Sequence, residues 1–456
     1  MLLIGQAIAA MDTAIVNVAA PTLKADLGIS GALLQLTVAG YGLAYATLLI
    51  TGARLGDHFG YRRLFIIGVT IFSTSSLVCG AARSVEVLVA GRIMQGIGAA
   101  LLVPQVLSLI QLCYKGREKS RAIGLYSMIL GLGAAVGQFF GGVVVSMDVG
   151  GFGWRPAFLI NVPIGIALLA LSPILVPEFG QVRSRKFDVA GVVIIAAVAL
   201  SILLPLTFGR ELDWPVWSLL LLCCGVAGLY GFWRYEVRRA EQGGSPLVDP
   251  AALLTKGIRP GLLVVLIGFF GYGGWLFTVA LYLQSGLGLT AFTSGLVFTA
   301  YALGFGISNL TWSRLPTPLL RRAPATALAV LATASVLLAV ITSTRHWDPV
   351  LIPLLLFFAG SGHGLSFGTS VHRMTSAISP ALVPSLSGLV TSSSQFAIVS
   401  GTAVLGSLYL AISSVQPTPA MSIAAMTAVA SVIAAAAVTA IYCAWRLPTL
   451  EADRGA

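Results

Sequence analysis

Charge is scarce in this sequence: of 456 residues, 27 are Lys or Arg, 16 are Asp or Glu and 4 are His, a charged share of 9%. A water-soluble domain carries about a quarter, so a soluble fold is excluded. Cysteine is also sparse. Cys79, Cys113, Cys223, Cys224 and Cys443 fall within or at the edges of apolar stretches, with neither metal-ligand spacing nor a secreted disulfide pattern, and they read as small hydrophobes. His58, His346, His363 and His372 show no metal-binding spacing either. A polytopic membrane enzyme would need such a site or a clustered nucleophile. No basic n-region leads the opening apolar run, which reads as a first membrane span and not as a cleavable signal.

Long apolar runs are what the chain has instead, and hydrophobic residues make up 57% of it. Each run is near the roughly 20 residues that a helix needs to cross about 30 Å of hydrocarbon. Their lengths and polar interruptions predict spans over 1–21, 34–54, 64–82, 85–110, 122–147 and 157–176, two more over 189–208 and 216–235, and six over 260–283, 291–313, 323–343, 349–370, 385–412 and 422–445. The expected fold is all-α and polytopic with fourteen transmembrane helices. An N-terminal six-helix bundle occupies 1–176, two inserted helices and a cytoplasmic connection 177–259, a C-terminal six-helix bundle 260–446, and a short cytoplasmic tail 447–456.

The net charge of +11 does not signal nucleic acid, because the basic residues sit in short clusters between apolar runs and form no stripe or tail. They sort by side. Of the 27 Lys and Arg, 21 fall on the side that holds both termini and 5 on the other, with Arg92 inside the membrane. The positive-inside rule then makes the first side cytoplasmic, as expected of a multi-pass cell-membrane protein.

Three polar features interrupt the first half. Between the second and third spans, Ala53-Arg54-Leu55-Gly56-Asp57-His58-Phe59-Gly60-Tyr61-Arg62-Arg63 forms a glycine turn with one acid facing several bases. Such a loop can latch two helices; an ordinary basic turn is the alternative. Arg92 lies within an otherwise apolar span, where an arginine costs about 2.5 kcal/mol or more and usually faces an interior partner; snorkelling is the bland alternative. Asp12 sits near the middle of the first span. Desolvation favours its neutral acid and a nearby cation favours its carboxylate, so a group held between the two can load and release a proton. A purely structural acid, bonded to Thr13 or a neighbouring helix, is the other possibility.

The fifth span carries Gly124, Gly133, Gly137, Gly141 and Gly142; the run 133, 137, 141 recurs every four residues and marks a face that meets another backbone closely. In the second half, His363 is the one histidine inside a span. It can titrate near neutral pH and serve as a second proton or substrate site, or pack as a neutral ring bonded to a helix carbonyl. Gln95, Gln105, Gln138, Asn161, Asn309 and Gln395 either line a cavity or join helices.

These motifs resemble those of the major facilitator superfamily. Its loop signature is matched by Leu55, Asp57, Gly60, Arg62 and Arg63, with Ala53 in place of the first glycine and His58 and Tyr61 in place of bases. Arg92 followed by Gln95 and glycines resembles its fourth-span motif, and the fifth-span glycines match its antiporter motif at every glycine. Gln138 departs, standing where the family has a proline, so the bend that proline would supply is in question. Asp12 with Asn17 and Pro21, the run Trp154-Arg155-Pro156-Ala157-Phe158-Leu159-Ile160-Asn161-Val162-Pro163-Ile164-Gly165, and Phe187-Asp188-Val189-Ala190-Gly191 resemble the fourteen-helix drug:proton antiporter branch. Ser313-Arg314-Leu315-Pro316-Thr317 with Arg321 and Arg322 is similar to a degraded copy of the Asp57 loop, consistent with a duplicated architecture.

The resemblance implies a proton-coupled secondary transporter, not an enzyme, that exports small amphipathic drugs or antibiotics by alternating access. Asp12, tuned by Arg92, would couple protons, and Asp57, Gly60, Arg62 and Arg63 would act as a conformational latch. The expected partners are a small-molecule substrate, protons and the bilayer, with no cofactor and no metal. A narrow exporter of a metabolite or self-made antibiotic, without obligatory proton exchange, is the alternative. No Asp or Glu lies within the spans from 260 to 445, which argues against strongly dicationic substrates. Phe269, Phe270, Tyr272, Trp275, Phe277 and Tyr301 serve equally as cavity wall or as packing.

Overall fold

The computed structural model describes residues 1–29, 31–114, 116–147, 151–178, 188–210, 212–244, 246–343, 348–379, 382–413 and 418–447. Among them the chain is helical with no strand. In order the helices are α1 (Leu2–Leu27), α2 (Gly31–Phe59), α3 (Tyr61–Ala81), α4 (Val85–Cys113), α5 (Gly116–Met147), α6 (Pro156–Leu159), α7 (Asn161–Leu175), α8 (Val189–Phe208), α9 (Val216–Glu241), α10 (Pro250–Leu254), α11 (Ile258–Leu281), α12 (Ala291–Thr311), α13 (Thr317–Ser343), α14 (Leu351–Ala377), α15 (Val383–Ser413) and α16 (Pro419–Trp445). A helix satisfies its backbone polar groups internally, and so can cross hydrocarbon. Thirteen helical stretches are long and apolar enough to do so. The fourteenth crossing is α5, whose most apolar part is Val136–Met147.

Several boundaries differ from the hydropathy reading, and two kinds of difference have physical reasons. The helices outrun the apolar stretches: α1 continues past residue 21 through Lys24 and Asp26, because backbone hydrogen bonding does not stop where hydrocarbon does. The sixth span is broken at Ile160 into α6 and α7. Pro163 has no N–H to give the carbonyl one turn earlier, and an interruption there is the usual result.

The chain forms two compact units, one of Met1–Tyr230 with Thr290–Leu296 and one of Gly231–Leu289 with Val297–Ala456. In the first, α1 packs on α4 and α5, α3 on α4 and α7, and α2 on α4 and α8. In the second, α11 packs on α14 and α15, and α13 on α14 and α16. Four of these pairings repeat with an offset: α1–α4 with α11–α14, α1–α5 with α11–α15, α3–α4 with α13–α14, and α3–α7 with α13–α16. That recurrence is the structural counterpart of the repeated loop pattern. Asp188 begins α8 by accepting the Gly191 N–H at 3.0 Å, a side-chain cap on otherwise orphaned backbone donors, which explains the spacing of Asp188 and Gly191.

Candidate functional site

Among the described residues of the first unit, one ion pair has no exposure on either side, Arg92 of α4 with Asp12 of α1. Arg92 Nη1 donates to Asp12 Oδ2 and to Gln95 Oε1 at 2.9 Å. Its Nε donates to the Thr37 carbonyl of α2 at 3.1 Å. The other carboxylate oxygen, Asp12 Oδ1, accepts from Gln95 Nε2 and from Asn161 Nδ2, both at 2.9 Å. Gln95 Nε2 also reaches Ser76 Oγ of α3 at 2.7 Å. Two residues of α4 and the first residue of α7 thus bond the carboxylate of α1 directly, and α2 and α3 hold those α4 side chains in turn.

The guanidinium also lies over rings, 4.7 Å from the Tyr41 centroid and 5.7 Å from that of Phe158, a placement that favours a desolvated cation. Tyr41 is fixed in turn by its hydroxyl, which donates to the Ala9 carbonyl at 3.0 Å. Arg92 Nη2 has no hydrogen-bond acceptor among the described residues; the guanidinium has the rings as neighbours instead. Thr13, a sequence candidate for bonding Asp12, turns its hydroxyl to the Ala9 carbonyl at 3.1 Å.

Three of the fifth-span glycines, Gly133, Gly137 and Gly141, face α1. A Cβ on Gly133 would press on Ala10, on Gly137 on the Met11 backbone and on Gly141 on Ile15. This close approach sets the backbone on either side of Asp12. Gly142 lies against the backbone of Ala291 and Phe292, within the segment 290–296 of the first unit. The surroundings of Gly124 lie outside the described residues. Gln138 is fully buried, and neither side-chain amide atom has a partner among the described residues.

Most of the 53–63 motif is helical, with Gly60 alone between α2 and α3, and α4 holds the last turns of α2. Gln105 Nε2 donates to the Gly52 carbonyl at 2.8 Å, and Gly60 turns the chain with φ 96°, a conformation that favours glycine. Arg62 donates to the Pro173 carbonyl at 2.8 Å and lies 3.9 Å from Glu178, while Arg63 is exposed. The Asp57 side chain lies outside the described residues. At the other end of the unit, Trp154 Nε1 and Arg155 Nη1 donate to Asp26 Oδ2 at 2.9 and 3.2 Å. That contact gives a physical reason for the Trp154-Arg155-Pro156 run: it ties the end of α1 to the start of α6.

His363 belongs to the second unit, on α14. Its Nδ1 lies 2.9 Å from the Tyr301 hydroxyl of α12, so its partner is a side chain and not a helix carbonyl. Composition and spacing do not single out Gln95 and Asn161 from the other buried amides. The signal that could have found them is their place beside Arg92 and inside the Trp154 run.

Three comparisons bear on this arrangement. The sequence model of the Major Facilitator Superfamily matches residues 2–402. The probable actinorhodin transporter of Streptomyces coelicolor is 34% identical over 436 residues, covering 94% of this chain and 75% of that protein. The cephamycin export protein CmcT of Amycolatopsis lactamdurans is 31% identical over 407 residues, covering 86% and 81%. Among solved structures, an inward-facing, occupied bacterial homolog of the human lysosomal transporter Spinster superposes with a TM-score of 0.66 at 17% identity, over 97% of this chain and 94% of that one. At that identity the likeness concerns the fold.

Proposed function

Because the chain belongs to the Major Facilitator Superfamily and is a multi-pass membrane transporter, we propose that it exports small amphipathic compounds, antibiotics or drugs, from the cytoplasm in exchange for protons by alternating access. The observation that carries the proton step is the buried carboxylate of Asp12, held by Arg92, Gln95 and Asn161. Each of these neighbours is a donor, so a proton on Asp12 would have no acceptor while Arg92 stays in place. The arrangement is that of the proton-free carboxylate.

Taking up a proton requires Arg92 Nη1 to leave Oδ2. The guanidinium has alternatives at hand, the Thr37 carbonyl and the Tyr41 face, so it can swing without losing every partner. Asp12 is then the proton carrier, Arg92 the switch, and Gln95 and Asn161 the positioning residues. The turn of Asp57, Gly60, Arg62 and Arg63 stabilises one state of the transport cycle, and both termini face the cytoplasm.

A narrower reading, export of a self-made antibiotic without obligatory proton exchange, is favoured by Gln138 in place of the antiporter proline and by relatives described as a probable actinorhodin transporter and a cephamycin export protein. Proteoliposomes carrying an internal pH dye separate the two. Substrate-induced proton movement in the unaltered protein, lost in Asp12→Asn, supports exchange through this carboxylate. Transport with no proton movement in either protein overturns it and leaves the uncoupled exporter.

A further inference from the structure

His363 is 2% exposed and sits among aromatic rings of three helices in the second unit. Phe269 and Tyr272 of α11 lie with centroids 4.8 and 5.3 Å from the imidazole, Phe305 of α12 at 5.2 Å, and Phe367 packs on Phe269 at 5.1 Å. No Asp or Glu lies within the helices of 260–343 or 351–445, so an imidazolium here would be a buried charge without a counter-ion. The ring is therefore neutral, with one nitrogen donating and one accepting.

Hydrogen-bond accounting decides which. The Tyr301 hydroxyl is buried and its partner is His363 Nδ1. Were Nδ1 to carry the proton, the tyrosine O–H would be left without an acceptor and Nε2 without a donor. With the proton on Nε2, the Tyr301 O–H donates to Nδ1 and a single group stays unmatched, the Nε2–H, which has no partner among the described residues. A buried donor left unmade is costly. On α11, Trp275 Nε1 is a second buried N–H without an acceptor among the described residues, and helical spacing puts it on the face that carries Tyr272.

We infer that His363 Nε2–H is the hydrogen-bond donor of an aromatic subsite that takes a planar, ring-containing substrate through a carbonyl or other acceptor oxygen. The rings supply faces and edges for offset or edge-on contact with a flat ligand, and the N–H fixes which edge of that ligand enters. A substrate without an acceptor oxygen gains only the ring contacts. Gly268 borders the nitrogen: a Cβ there would lie 3.4 Å from Nε2, an ordinary contact. A methyl group at that position would cover the donor without displacing the ring.

The inference rests on the export reading for which compounds arrive, but its test is a binding measurement. Purified full-length protein in detergent is titrated with anthraquinone sulfonate and with anthracene sulfonate, which share the ring system but differ in the carbonyl oxygens, and tryptophan fluorescence reports binding. The unaltered protein should prefer the quinone by about tenfold, the effect of one buried hydrogen bond. His363→Phe keeps a ring and removes the N–H, Gly268→Ala masks it, and either should bring the ratio near one. A ratio near one in the unaltered protein, or a preference that survives in the folded variants, overturns the subsite; should His363→Phe not fold, Gly268→Ala decides. Separately, flux of antibiotics in proteoliposomes with no quinone preference sinks the subsite alone, whereas absence of flux sinks the export reading whatever the ratio.

Discussion

Asp12 and Arg92 hold each other in place without solvent, and the two halves of that pair should respond unequally to removal. In Asp12→Asn the guanidinium keeps the Thr37 and Gln95 oxygens but loses its counter-ion, and arginine cannot shed its proton. Removing one partner of a buried pair costs about 3–5 kcal/mol. In Arg92→Met the remaining carboxylate keeps Gln95 and Asn161 as donors and can also take up a proton. Its loss should be smaller, about 1–3 kcal/mol, near that of broken buried hydrogen bonds. The double variant buries no charge, and replacement of a buried pair by neutral groups is often close to neutral, so its loss should be no more than about 2 kcal/mol. The cycle therefore predicts a coupling of at least about 2 kcal/mol. Denaturant unfolding in micelles, followed by tryptophan fluorescence, measures all four proteins. Single losses that add to within about 0.5 kcal/mol in the double variant would refute the claim that these two charges stabilise one another.

Three further outcomes follow from the same geometry. Asn161→Leu removes a donor 2.9 Å from Asp12 Oδ1 and should cost about 1–2 kcal/mol while slowing substrate-induced proton release; unchanged release in proteoliposomes would show that Asn161 does not position the carboxylate. At Gly52 a Cβ would overlap the Ala100 carbonyl oxygen, a backbone atom, whereas Gly231 has nothing within 4 Å of that position. Gly52→Ala should lose about 2 kcal/mol or more through overpacking and Gly231→Ala should be neutral or gain up to about 1 kcal/mol of helix propensity, as thermal unfolding in detergent would report. Asp348 accepts the Val350 and Leu351 N–H groups at the start of α14, which holds its carboxyl below the usual range. Its contribution to that helix end is then full above about pH 4, the value of a free aspartate, and fades as pH falls through the lowered folded value. Protection of the 350 and 351 amides, measured relative to their intrinsic exchange rates, that does not fall as the pH drops would contradict this.

Span number, span type and the family motifs were legible because hydrocarbon leaves the chain few options: an apolar run of membrane length becomes a helix whatever its neighbours. Arg92 and Asp12 stood out for the same reason, as ionisable groups where such groups are expensive. Their partners did not. Gln95 and Asn161 are neutral amides whose side chains carry no periodic signal, and only the packing of α4 and the start of α7 around α1 brings both to Asp12 Oδ1. Helix ends were misjudged wherever polar residues such as Lys24 continue a helix beyond the apolar run. For His363 the sequence left two readings, a titratable site and a packed neutral ring; in the folded unit its Nδ1 lies against the Tyr301 hydroxyl and its Nε2 has no partner among the described residues.

The cost of burying that many polar groups in the first unit is met by how closely its helices approach. Gly96, one turn beyond Arg92, meets the Tyr41 backbone so tightly that a Cβ would overlap the Tyr41 carbonyl oxygen, and this contact sets the Tyr41 ring beneath the guanidinium. Gly52 likewise lies on the α4 backbone at Ala100, where Gln105 donates to its carbonyl. Small residues let backbones touch, and touching backbones put carbonyls such as that of Thr37 within reach of a charged side chain. The glycines and the ionisable pair are therefore one device: the first make the gap between α2 and α4 too narrow for lipid, and the second can be charged there because protein oxygens and aromatic faces occupy that gap in place of water.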